Sequence, residues 1–129
     1  MNIRPIRPEE FESARALLSA CGWTKKIEDP AVFAASVRAS QIALVAEVSG
    51  QIVGFLRAIT DGVFNGYISM VAVAPERQGT GIGKALVNAA VGANPNITWV
   101  LRADRSGVKG FYTSLGFEQS AVAMERRRQ

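Results

Sequence analysis

Residues 75–86, PERQGTGIGKAL, carry glycine at every second position: Gly79, Gly81 and Gly83. Glycine lets a ligand approach the main chain closely, and the unpaired N–H groups that open a helix bind anions without side-chain charge. The chemistry on offer is phosphate binding, and three cradles compete for it. A mononucleotide loop needs G-x-x-x-x-G-K-[ST]; counted back from Gly83-Lys84, its first glycine falls on Gln78 and its magnesium-binding hydroxyl on Ala85. A dinucleotide turn needs G-x-G-x-x-G after the first strand of a domain. Here Lys84 stands in place of the third glycine, and the segment follows the fourth predicted strand. What remains is a backbone cradle for some other phosphate, against the plainer reading that the glycines only make a tight strand-to-helix connection.

The side chains available for catalysis are few. The chain has no histidine and one cysteine, Cys21, which excludes Ser-His-Asp and Cys-His nucleophilic catalysis and an internal disulfide. The commonest transition-metal ligand is missing, no D-x-D-x-D-G cluster stands in for it, and no metal is expected. Chemistry has to come from carboxylates, tyrosines, backbone amides or a bound cosubstrate. Cys21 suits a buried apolar position. A net charge of +4 and a pI near 9.7 suit an anionic ligand. Arg126, Arg127 and Arg128 read as a solvated terminus rather than a nucleic-acid patch. The opening MNIRPIRPEE lacks an apolar signal region, and no apolar run approaches the ~20 residues of a membrane span. A cytoplasmic location is expected, with neither membrane nor nucleic acid as partner.

The elements that must hold these residues follow from periodicity. NIRPI suits an edge strand. Phe11, Ala14, Leu17 and Leu18 share a helix face ended by Gly22, and Asp29-Pro30 open a second helix. Segments 41–48 and 51–60 are strands joined by Ser49-Gly50 in a tight hairpin, and 66–73 is the next strand. A helix starts at Gly81 with Ile82, Ala85, Leu86, Ala89 and Ala90 as its stripe. A strand at 97–103, a helix carrying Val108, Phe111, Tyr112 and Leu115 with Gly116 after it, and a final strand at 117–126 complete the chain. The expected class is one mixed α/β domain over 1–129, with a mostly antiparallel sheet and flanking helices.

The segment Gln78-Gly79-Thr80-Gly81-Ile82-Gly83, preceded by ISMVAVAP, resembles the Q/R-x-x-G-x-G/A signature of the GNAT superfamily of acyl-CoA-dependent N-acyltransferases. GFYTSLGF resembles that family's second signature, a tyrosine four residues before Gly-Phe. The resemblance covers nearly the whole chain and is strongest over 64–118. Within the family, the chain looks like the compact branch that includes serotonin-type N-acetyltransferases.

The resemblance implies the GNAT fold and transfer of an acetyl group from acetyl-CoA to a primary amine, by direct attack in a ternary complex. Acetyl-CoA would lie in a V-shaped gap between strands 67–73 and 97–102. Its pantetheine arm would pair with Val71, Ala72 and Val73, and its pyrophosphate would sit on the amides of Gln78, Gly79, Thr80, Gly81, Ile82, Gly83 and Lys84. The N–H of Val71 would hold the oxyanion and Tyr112 would be the general acid, with Lys109 near the 3′-phosphate or the adenine ribose. A phenol of pKa about 10 can protonate a departing thiolate whose conjugate acid has a pKa of about 8.5.

The general base is left open. A primary amine is mostly protonated at pH 7, a handicap of roughly 4 kcal/mol. Many relatives carry a carboxylate on the fourth strand, where this chain reads Tyr67-Ile68-Ser69-Met70 and has Met70 at the serotonin-type aspartate. Asp61, Glu47 and a water relayed by backbone or Ser69 are the alternatives. Arg105 stands where the family often has an asparagine. Trp23, Phe33, Phe64 and Tyr67 are candidates for an apolar acceptor pocket. A non-catalytic acyl-CoA-binding module is the competing function, and a homodimer is a further expectation.

Overall fold

The computed structural model describes residues 1–103 and 107–129. Its elements run β1 (Asn2–Pro5), α1 (Phe11–Ala20), α2 (Pro30–Arg38), β2 (Ile42–Val48), β3 (Gln51–Thr60), β4 (Asn65–Val73), α3 (Ile82–Val91), β5 (Thr98–Leu101) and α4 (Val108–Ser114). The strands form one sheet in the order β1-β2-β3-β4-β5, antiparallel except for the parallel β4–β5 pair. This is the mixed, mostly antiparallel α/β sheet with flanking helices expected from the pattern. No helix among the described residues is long and apolar enough to cross a membrane.

Local signals act where they were read. Asp29 Oδ1 accepts the N–H of Ala31 at 2.9 Å and caps α2, with Pro30 at its first position. Ser49 and Gly50 both take positive φ (51° and 78°), the geometry that joins twisted antiparallel strands by two residues. The Phe33 and Phe55 rings lie 6.0 Å apart, so α2 covers one face of β3. A Cβ on neighbouring Gly54 would lie 2.9 Å from both Ile82 and Leu86, so α3 covers the opposite face. Phe33, Phe55, Leu18, Leu56 and Leu86 form the centre of the core, each under 2% exposed.

The expected final strand at 117–126 is a correction: the segment is irregular. Ser120 Oγ accepts the N–H groups of Val122 and Ala123 at 3.1 and 2.9 Å, turning the chain where a strand would run straight. Val122 and Met124 are 89% and 98% exposed, so past Phe117 no apolar burial holds the segment against the sheet. The strand expected at 97–103 is likewise shorter, Thr98–Leu101.

Two irregularities of β4 shape the molecule. Register with β3 passes from Arg57↔Met70 to Ala58↔Ile68, which leaves Ser69 as an extra, bulged residue. Parallel pairing with β5 stops at Ile68↔Leu101 although β4 continues to Val73. β5 ends at Leu101, so beyond Ile68 the edge of β4 runs on without a β5 partner.

The paired stretch of β4 and β5 depends on close approach. A Cβ on Gly66 would lie 2.4 Å from two carbons of the Trp99 ring, its partner across β4 and β5. A rigid indole cannot give way by that much without shifting β5. Gly66→Ala is therefore expected to destabilise the fold by about 2 kcal/mol, the scale of core overpacking. A denaturant melt checks this; an unchanged midpoint would show that β5 is free to move.

Candidate functional site

The turn before α3 is built from backbone. Gly79 and Gly81 hold φ of 81° and 91°, left-handed conformations that cost a side-chain-bearing residue. Gly81 is the N-cap of α3 and makes no side-chain cap, so among the described residues no capping side chain takes up its first-turn N–H groups. Neighbouring side chains brace the turn: Thr80 Oγ1 donates to the carbonyl of Arg77, and Gln78 Nε2 donates to that of Val73 at 3.1 Å.

In front of this turn lies a cleft of about 580 Å³. Val71, Ala72 and Val73 of β4 form one wall, Gln78, Gly79, Gly81, Ile82, Gly83 and Lys84 a second, and Tyr112 of α4 a third. Those predicted residues are brought together. Thr80 does not line the cleft, and Lys109 faces a different depression, with Trp99 and Phe117. A thioester carrying a diphosphate fits the arrangement: an uncapped helix start for the anion and a strand edge beyond its β5 partner for an extended amide-bearing arm. Cys21 is half-buried rather than fully buried, lines the cleft, and donates Sγ–H to the carbonyl of Val73 at 3.2 Å.

Tyr112 is both a packing residue and a cavity residue. Its ring meets Phe111 and Phe117 edge-on at 5.0 and 5.7 Å between centroids. Burial pushes the phenol pKa above its ordinary value of about 10, so the proton stays on at neutral pH.

A second cavity, about 370 Å³, shares Val71, Val108 and Tyr112 with the first. Trp23, Lys25, Lys26, Ser69, Met70 and Arg102 complete its principal lining. Of the aromatic candidates, Trp23 lines it and Tyr67 lines an adjoining depression with Arg126, Arg127 and Arg128. Phe33 is instead 1% exposed in the core, and Phe64 is 65% exposed on the β3–β4 turn.

Both carboxylate candidates for the base are committed elsewhere. Asp61 Oδ1 accepts the N–H groups of Val63, Phe64 and Asn65 at 2.8–3.0 Å, fixing the β3–β4 turn. Those bonds, from Asn65 first, hold its pKa below the usual range and weaken it as a base. Glu47 accepts from Arg4 at 3.3 Å at the β1–β2 edge. Among the described residues, no carboxylate lines either cavity. Arg105 lies outside the described residues.

Arg57 is a site residue that no sequence motif marks. It donates Nε to the Ser40 hydroxyl at 2.7 Å and to the Ser36 carbonyl at 3.2 Å, and Nη1 to Ser69 Oγ at 2.6 Å, behind the second cavity. The one hint was a lone cation inside the apolar strand GFLRAIT.

A family model described as "Acetyltransferase (GNAT) domain" matches residues 39–119. Among solved structures, the chain is similar to a GNAT-family acetyltransferase from Streptococcus pneumoniae at 24% identity, with a TM-score of 0.72 over 98% of this chain and 97% of that one. A protein described as belonging to the GNAT family, from Xanthomonas campestris pv. campestris, is 25% identical with a TM-score of 0.77 over 98% and 92%. A GNAT-family acetyltransferase from Brucella melitensis, solved in complex with acetyl-CoA, is 24% identical with a TM-score of 0.69 over 98% and 91%.

Proposed function

We propose, on the premise that the chain belongs to the GNAT acetyltransferase family, that it moves the acetyl group of acetyl-CoA to a primary amine by direct attack in a ternary complex. One observation carries this reading: two cavities of different chemistry meet at Val71, Val108 and Tyr112. A thioester in the glycine-lined cleft and an amine in the other would face each other only there.

The division of labour follows from the groups present. The turn from Gln78 to Lys84 holds the diphosphate by N–H groups, with Lys84 at its edge. The amine nitrogen attacks the acetyl carbon, the C–N bond forms as C–S breaks, and Tyr112 gives its proton to the departing sulfur. The amine's surplus proton passes to water and restores the phenol. In this reading the Val71 amide stabilises the developing oxyanion.

No carboxylate is needed if the amine enters as free base, and the second cavity favours that form. Lys26, itself an amine on its wall, has a lowered pKa, from partial burial first and then from the charges of Arg128, Arg57 and Arg102. A substrate ammonium would meet the same opposition and shed its proton at the cavity mouth.

The kinetic order tests the ternary complex. Initial rates with both substrates varied are expected to intersect, and intact mass after incubation with acetyl-CoA alone should show no acetylated chain. Parallel lines with an acetylated chain would sink direct attack. A second reading, a non-catalytic acyl-CoA-binding module, draws support from the absence of a lining carboxylate among the described residues. Tight acetyl-CoA binding without turnover on any amine would select it.

A further inference from the structure

The second cavity has a charge that its general shape does not require. Lys25, Lys26 and Arg102 lie on its wall. The adjoining depression, which shares Leu101 and Arg102 with it, brings in Arg126, Arg127 and Arg128. Across both, the carboxylate among the described lining residues is Glu125, which Arg102 at 2.6 Å and Arg127 at 2.9 Å already engage. Behind Ser69, the half-buried Arg57 donates only to a carbonyl and two hydroxyls, and no described carboxylate pairs with it. A guanidinium drawn out of water without a counter-ion is unfavourable, and burial lowers the pKa of Arg57 accordingly. Neutral serines hold it in place without cancelling its charge.

Such a cavity repels one class of amine and attracts another. A polyamine carries extra cations into a cationic space, and a simple arylalkylamine uses only the apolar faces of Trp23 and Met70. An acceptor with an anion at the end remote from its amine would place that anion by Lys26 and the Ser69–Arg57 pair while the amine reaches Tyr112. Resting on the acetyl-transfer reading above, we propose that the acceptor is a primary amine bearing a carboxylate or phosphate group, recognised by this cationic wall. The selectivity departs from the serotonin-type resemblance, whose aspartate position is Met70 here.

Thiol release from acetyl-CoA across matched amines tests the assignment. One series is 4-aminobutyrate, 4-amino-1-butanol and 1,4-diaminobutane. A phosphate arm pairs O-phosphoethanolamine with ethanolamine and glucosamine 6-phosphate with glucosamine. The arms separate carboxylate from phosphate recognition. In at least one arm the anionic member is expected to exceed its neutral counterpart in kcat/KM by about 10–100-fold, the range of a charge-assisted hydrogen bond, with the diamine slowest. Lys26→Glu should cut that preference by at least about tenfold, and Lys26→Gln by less. Equal rates across each set, or a preference for the diamine, would overturn the proposal and leave acetyl transfer standing. No turnover on any amine, with acetyl-CoA binding measured in the same samples, would instead remove the transfer reading and this proposal with it.

Discussion

Tyr112→Phe is expected to lower kcat by about 10²-fold, the lower end of what a positioned general acid supplies, while acetyl-CoA binding changes by less than about threefold. The low end applies because a thiolate whose conjugate acid has a pKa near 8.5 departs tolerably without help. Phenylalanine keeps the edge-on contacts of ring 112 with Phe111 and Phe117, so stability should move by no more than about 0.5 kcal/mol. The pH profile separates acid catalysis from packing. Burial disfavours the phenolate, so the proton needed for donation is held to a pH above the ordinary value of about 10 and lost beyond it. Wild-type kcat should fall on that far alkaline limb, and the phenylalanine variant should lack the fall. An unchanged kcat with an unchanged limb would reduce Tyr112 to a packing residue.

The glycine turn before α3, the proposed diphosphate cradle, was legible because left-handed glycines announce themselves. Gly79 and Gly81 sit at positions where other residues are strained, and a simple turn would need fewer of them. Tyr112 was legible through its spacing from Gly116-Phe117, since α4 turns that spacing into one cavity wall. Asp29 and Ser49-Gly50 act within a few residues of themselves, and their structures follow from local rules. Ser69 was a candidate in the sequence, but its bulge was not legible: it exists only in the register between β3 and β4, which no short stretch encodes. Arg57 was a visible oddity in an apolar strand, but Ser36 and Ser40, which hold it, come from the end of α2 and the turn beyond. The 117–126 tail misled for the opposite reason. Its apolar run has strand composition, yet a strand needs a partner, and the Ser120 turn diverts the chain before it gains one.

The cradle supports a prediction in which strain and charge can be pulled apart. Gly81→Asp and Gly81→Asn put side chains of nearly equal size at φ of 91°, a conformation that Asn and Asp tolerate best among non-glycine residues. Nothing lies within 4 Å of the added Cβ, so neither substitution clashes. Both residues rank alike as N-caps, and the aspartate gains from the positive end of the α3 dipole. The aspartate variant should therefore melt no lower than the asparagine variant. Binding should run the other way. A carboxylate at roughly 5 Å from a phosphate charge costs about 3 kcal/mol at an effective dielectric near 20, so acetyl-CoA affinity should fall about 10²-fold further for aspartate than for asparagine. Calorimetric titration of both variants checks this, and added salt should narrow the gap as exposed charges are screened. Equal weakening of the two would mean that backbone strain alone disturbs binding and that the diphosphate rests away from the start of α3.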